Sequence, residues 1–146
     1  MNTVYTIGSR GSDPVTLLGI LAHHQITDLY DIRPIPNHNA RRFVRAREVQ
    51  DLIARIRPAW GAVRYRRVAE LVPPRRARGG DQSKRWTREA YCEAVGSKAV
   101  LAAKALMRKT QVPCILGSAL SWDVCYRGAL AEEVGASDGS SYPILW

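Results

Sequence analysis

No apolar run in this 146-residue sequence approaches the length of a membrane span, and its first residues, MNTVYTIG, lack the basic and apolar regions of a signal peptide. A cytoplasmic protein with no membrane partner is the expectation. Cysteine is scarce: Cys92, Cys114 and Cys125 are odd in number and form no CxxC pair, which supports neither a disulfide framework nor a zinc site. The three histidines, His23, His24 and His38, show no common metal-ligand spacing, and there is no Walker spacing and no GxGxxG. No metal and no cofactor are expected. Internal repeats and low-complexity tracts are also missing, and a chain of this length with 46% apolar residues fills one core rather than two. A single domain over 1–146 follows.

Acids are the residues most conspicuously missing from the middle of the chain. Between Arg41 and Arg88 stand fifteen Arg or Lys against four acids, so this segment carries +11 while the remainder carries −2 of the net +9. Fourteen of the fifteen are arginine, whose planar fork suits phosphate, and Phe43, Trp60, Tyr65 and Trp86 lie among them as rings on which bases can stack. Solubility needs no such one-signed cluster, so DNA, RNA or a nucleotide is the expected partner. The residues expected to meet it are Arg41, Arg42, Arg45, Arg64, Arg66, Arg67, Arg75, Arg76, Arg78, Lys84 and Arg85.

The elements alternate. TVYTIG (Thr3 to Gly8) reads as a strand ended by glycine, and Asp13-Pro14 supplies the cap and first turn of a helix. A second strand is predicted over Ile26 to Ile32, and RPIPNHN, with two prolines, leaves it as a loop. From Ala40 to Ile56 a basic amphipathic helix is predicted, with Phe43, Val44, Val49, Leu52, Ile53 and Ile56 on its stripe. GAVRYRRV alternates Val63, Tyr65 and Val68 with arginines, as a strand with one wet face or at an edge does. Residues 73–85 read as a flexible basic loop. Thr87 caps a long helix predicted to run through Gly96 with Tyr91, Val95, Ala99, Ala102 and Leu106 on one face. VPCIL is a continuous apolar strand, a helix entered through Ser121 follows it, and YPILW closes the chain as a last strand. This order predicts an α/β fold: one three-layer domain with a mostly parallel sheet of about five strands flanked by helices.

In such a sheet ligands sit at the carboxyl ends of the strands. Collected there are Gly8, Ser9, Arg10, Asp31, Arg33, Gly117 and Ser118, with Arg127 on the next helix, a set suited to an anion. Asp31 and Arg33 also read as a plain strand-end ion pair, and Gly117-Ser118 as an ordinary turn. Cys125 is a thiolate candidate at a helix start, yet free cysteines more often pack than react; Cys114 reads as core.

The segments YTIGS, DLYDIRPIP, VRYRRVAEL, RWTREAYCEAV and VPCILGSALSWDVCYRGALAEEV, in this order, resemble the domain-of-unknown-function family 488 over nearly the whole chain. The resemblance implies a compact α/β domain with its recurrent residues at strand carboxyl ends and a role related to nucleotides or nucleic acid. Asp31, Arg33, Cys125 and Arg127 match the family's pattern. Gly117, Ala119 and Tyr126 stand where the family has cysteine, glutamate and histidine. The implied site therefore keeps its anion-binding groups and lacks its reactive ones, which makes a binding protein with a degenerate pocket the leading expectation. Two alternatives stand beside it. One is an enzyme modifying or cleaving a nucleotide, nucleobase or nucleic acid, with Asp31, Tyr126 or Cys125 as catalytic candidates; the other is a protein-interaction or inhibitory module.

Overall fold

The computed structural model describes residues 4–9, 13–34, 45–60, 63–74, 86–118, 126–135 and 144–145. The elements are β1 (Tyr5–Gly8), α1 (Pro14–His23), β2 (Asp28–Asp31), α2 (Ala46–Trp60), β3 (Arg64–Arg67), a short 3-10 turn (Ala69–Leu71), α3 (Arg88–Val95), α4 (Ser97–Lys109), β4 (Pro113–Gly117), α5 (Tyr126–Gly135) and β5 (Ile144–Leu145). Five strands form one parallel sheet in the order β3-β2-β4-β1-β5, in agreement with the expected α/β architecture. The predicted loop lies outside the described residues from residue 75 to 85, as does the predicted helix entry at Ser121.

Alternation along the strands explains the two cores. A residue pointing to one face is followed by one pointing to the other, and a sheet covered on both faces needs apolar residues at both. Ile7, Leu29, Cys114 and Leu116 meet Leu17, Leu18 and Leu21 of α1 and Val49 of α2. Their sequence neighbours Tyr30, Ile32 and Ile115 meet Tyr91 of α3, Val100, Ala103 and Met107 of α4, and Leu130 and Val134 of α5. The sheet is thus sandwiched between α1 and α2 on one face and α3 to α5 on the other.

Local signals start the helices as expected. The Asp13 carboxylate accepts the Thr16 N–H at 2.8 Å with Pro14 in the first turn, and Thr87 Oγ1 accepts the Ala90 N–H at 3.1 Å. The long helix after Thr87 is a correction: it is two helices. At Gly96 the backbone takes φ +99° and ψ 140°, a conformation essentially reserved for glycine, which ends α3 and begins α4 in a new direction. The predicted apolar face loses its phase there. Beyond the break, Val100, Ala103 and Met107 are buried, while Ala102 and Leu106 are exposed and Ala99 half-buried. The helix predicted to end at Ile56 instead continues to Trp60.

The layer of α3, α4 and α5 is tied by one carboxylate. Glu133 of α5 accepts from Arg88 of α3 at 2.7 Å and from Lys104 of α4 at 3.2 Å. Burial alone pushes the Glu133 carboxyl up, but the hydrogen bonds and charges of Arg88 and Lys104 outweigh it and hold the group below the usual glutamate range. Deeper in, Tyr91 donates to the Leu71 carbonyl at 2.7 Å and stacks on Tyr126 at 5.9 Å, with Trp86 edge-on to both rings.

Two outcomes follow. Gly96→Ala is expected to lose about 1–3 kcal/mol in urea unfolding through backbone strain alone, since no atom lies within 4 Å of the added methyl group. Because the folded-state pKa of Glu133 is depressed, its contribution is present above the unfolded glutamate pKa and fades as pH falls through the folded value. Thermal melts of wild type and Glu133→Gln should therefore differ at neutral pH and converge in acid.

Candidate functional site

The connections leaving the sheet define where a site can form. β1 and β2 send their chains to α1 and α2 on one face, whereas β4, which lies between them, leads to α5 on the other. Chains that part to opposite faces leave a crevice at the carboxyl ends of β1, β4 and β2. Gly8 pairs with Gly117 across the β1–β4 ladder, the Ser9 N–H donates to the Gly117 carbonyl at 2.9 Å, and the Ile32 N–H donates to the Leu116 carbonyl at 3.1 Å. Gly8, Ser9, Asp31, Arg33, Gly117 and Ser118 are therefore gathered at one end of the sheet. Arg127, in the first turn of α5, is fully buried, and its positive charge is felt by the Cys114 thiol of β4. Arg10 and Cys125 lie outside the described residues.

The gathered groups are turned inward. Asp31 is fully buried, and one of its oxygens accepts the Arg33 backbone N–H at 3.0 Å and Nε–H at 2.9 Å. The other oxygen accepts Arg33 Nη2 at 2.8 Å and the Tyr65 hydroxyl of β3. Burial, then the hydrogen bond and the charge of Asp31, push the Tyr65 phenol far above its ordinary range, so it stays a donor. A carboxylate bound by a forked guanidinium, a backbone N–H and a phenol is a strong clamp. It is poorly placed to accept a proton from a substrate. Tyr126, the other described candidate for chemistry, donates its hydroxyl to the Ile32 carbonyl. Ser9 Oγ and Thr6 Oγ1 are shut off from solvent and have no hydrogen-bond partner among the described residues. Burial, before a smaller opposing effect of Arg127, pushes the Cys114 thiol far up, and Cys92 is raised chiefly by burial too, so neither is a thiolate near neutral pH. Among the described residues no group of three metal-ligating side chains gathers, and no helix is long and apolar enough to cross a membrane.

The basic residues present a different picture. Among the described strands β3 lies at the edge, bonded to β2. Tyr65 packs towards α1 and α2, so Arg64 and Arg66 point to the opposite face, where both reach the single carboxylate of Asp28. Nε of Arg64 lies 3.1 Å and Nε of Arg66 3.2 Å from the same oxygen. Asp28 is 1% exposed, whereas the arginines are 61% and 41% exposed, so their outer ends face solvent with one positive charge in excess. Arg67 donates to the Asp31 carbonyl at 3.0 Å, and Arg45 lies 3.5 Å from Glu48 on the surface of α2. Arg41, Arg42, Arg75, Arg76, Arg78, Lys84 and Arg85 lie outside the described residues. Of the rings expected to stack on bases, Trp86 is buried and Tyr65 is held by Asp31.

Sequence reasoning missed Asp28 and the Tyr65 link. The alternation in VRYRRV carries the signal, because it separates Tyr65 from Arg64 and Arg66; the register that sets Asp28 beside Arg64 is visible only in the folded sheet.

Removing the charge of Asp31 takes away the carboxylate that the buried Arg33 guanidinium faces. Asp31→Asn is expected to destabilise by about 3–5 kcal/mol, and Tyr65→Phe, which leaves the ion pair intact, by about 1.5–3 kcal/mol, both read by urea unfolding.

Comparison with protein-family models, with curated proteins and with solved structures returns no match to this chain.

Proposed function

We propose that the chain binds nucleic acid through its phosphates, with the arginine-bearing edge of the sheet as the contact surface and the crevice as a retained but non-catalytic feature. One observation carries the reading: Arg64 and Arg66 are held side by side by a single buried carboxylate, with their outer donors exposed. A guanidinium anchored at Nε loses less freedom when its remaining N–H groups meet a phosphate. The shared carboxylate neutralises only one of the two charges, so the pair still attracts an anion. The charge of the segment from Arg41 to Arg88 and the resemblance to family 488 point the same way.

An enzyme working through Asp31 or Tyr126 finds less support, because both groups already serve the fold: Asp31 holds Arg33 and Tyr65, and Tyr126 holds the Ile32 carbonyl.

The test is a salt titration on duplex and single-stranded DNA and RNA. Affinity is expected to fall steeply with salt, and Arg64→Ala or Arg66→Ala should each reduce the log–log slope by about 0.9 on duplex DNA or about 0.7 on a single strand. Each single variant leaves Asp28 paired with the other arginine, so the melting temperature should barely move. Replacing Arg75, Arg76 and Arg78 together is expected to lower the slope further. Absence of binding at low salt, or affinity indifferent to salt, overturns the reading.

A further inference from the structure

A second feature lies in line with the anchored arginines. Val68 follows Arg66 by two residues, just past the end of β3 where the chain enters the 3-10 turn, and packs on the same side of the sheet, towards α3 to α5. Val68 is also one wall of a groove of about 460 Å³ between the 3-10 turn and α4. The other walls are Leu71, Val95, Ala99, Ala102 and Leu106, with Glu70 and Lys98 the charged residues at its lining. This is the apolar stripe of the predicted single long helix, which among the described residues borders the groove because the chain turns at Gly96. Arg64 and Arg66 thus lie on one face of β3 at strand spacing, about 6.6 Å per two residues, and the groove begins at Val68, two residues further along the chain.

We infer that the groove receives a base of a single-stranded nucleic acid whose neighbouring phosphates lie on Arg64 and Arg66. This inference rests on the proposed function and narrows it to single strands. Charge complementarity selects the occupant: the groove opens beside a pair of arginines with excess positive charge, so the ligand joins an anionic chain to an apolar-faced body. A nucleic-acid strand has that construction, with phosphates along it and a flat ring at every unit. The volume is ample for one base, and its small Ala99 and Ala102 side chains let a ring approach the helix closely. A base stacked and paired in a duplex cannot enter, so the groove discriminates against duplex. Because the walls are aliphatic, recognition is of a ring face rather than a hydrogen-bonding edge, and sequence preference is weak.

The experiment compares three labelled probes of about 12 nucleotides, a single strand, an abasic strand of the same length and a duplex, on the full chain across a series of salt concentrations beginning at low salt. Wild type is expected to bind the base-bearing strand about tenfold more tightly than the abasic one, the worth of burying one ring face. Ala102→Phe fills the groove from an exposed position and should abolish that preference while leaving the salt slope unchanged. As a check independent of this variant, a strand carrying 4-thiouracil should photo-crosslink to Val95–Leu106. Equal binding of base-bearing and abasic strands by wild type, a preference that survives Ala102→Phe, or crosslinks confined to other segments overturns the inference and leaves phosphate binding standing. Tighter binding of an acidic amphipathic peptide, lost in Ala102→Phe, assigns the groove to a protein and overturns it as well. No binding of any probe at low salt defeats the proposed function itself.

Discussion

The buried carboxylate of Asp31 is the point on which the end of the sheet depends. It terminates β2 and holds the buried guanidinium of Arg33. Through Tyr65 it reaches the next strand, and its own carbonyl receives Arg67 and the Val68 N–H. One residue thus fixes the exit of β2, the attachment of β3 and the direction of the chain into the 3-10 turn. A buried ion pair is seldom a net source of stability over an apolar alternative, because two charges lose their water. Its value here is directional: bidentate geometry admits one arrangement, and apolar packing admits several.

The opposite face rests on a different device. α3, α4 and α5 are drawn together by Glu133 and by the rings of Trp86, Tyr91 and Tyr126. Gly96 sets the angle between the first two helices, and that single turn decides which residues of α4 face inward. Had the helix continued straight, Ala99, Ala102 and Leu106 would have shared a face with Tyr91. Instead Val100, Ala103 and Met107 fill the core and the earlier stripe borders a groove.

The arginines of β3 serve the fold before they serve any ligand. An edge strand offers unpaired backbone groups to any other strand, and two arginines with only one carboxylate between them repel a second copy of the same edge. The same excess charge attracts phosphate. Protection of the edge and the proposed polyanion contact thus draw on one arrangement.

Much of this was legible in the sequence. The alternation of strands and helices prescribed a covered parallel sheet, because parallel neighbours need crossovers and continuous apolar strands need cover on both faces. Asp13-Pro14 and Thr87 marked helix starts through local hydrogen bonding, and the alternation of GAVRYRRV marked a strand with one wet face or at an edge. These are short-range properties, written in residues a few positions apart. The tertiary structure alone decided the rest. That Asp31 and Arg33 close on each other and on Tyr65, and that Asp28 takes both Arg64 and Arg66, depend on strand register across some thirty residues. A glycine can be tolerated inside a helix or can end one, and only the packing of α3 and α4 against α5 and the sheet selected the second outcome at Gly96.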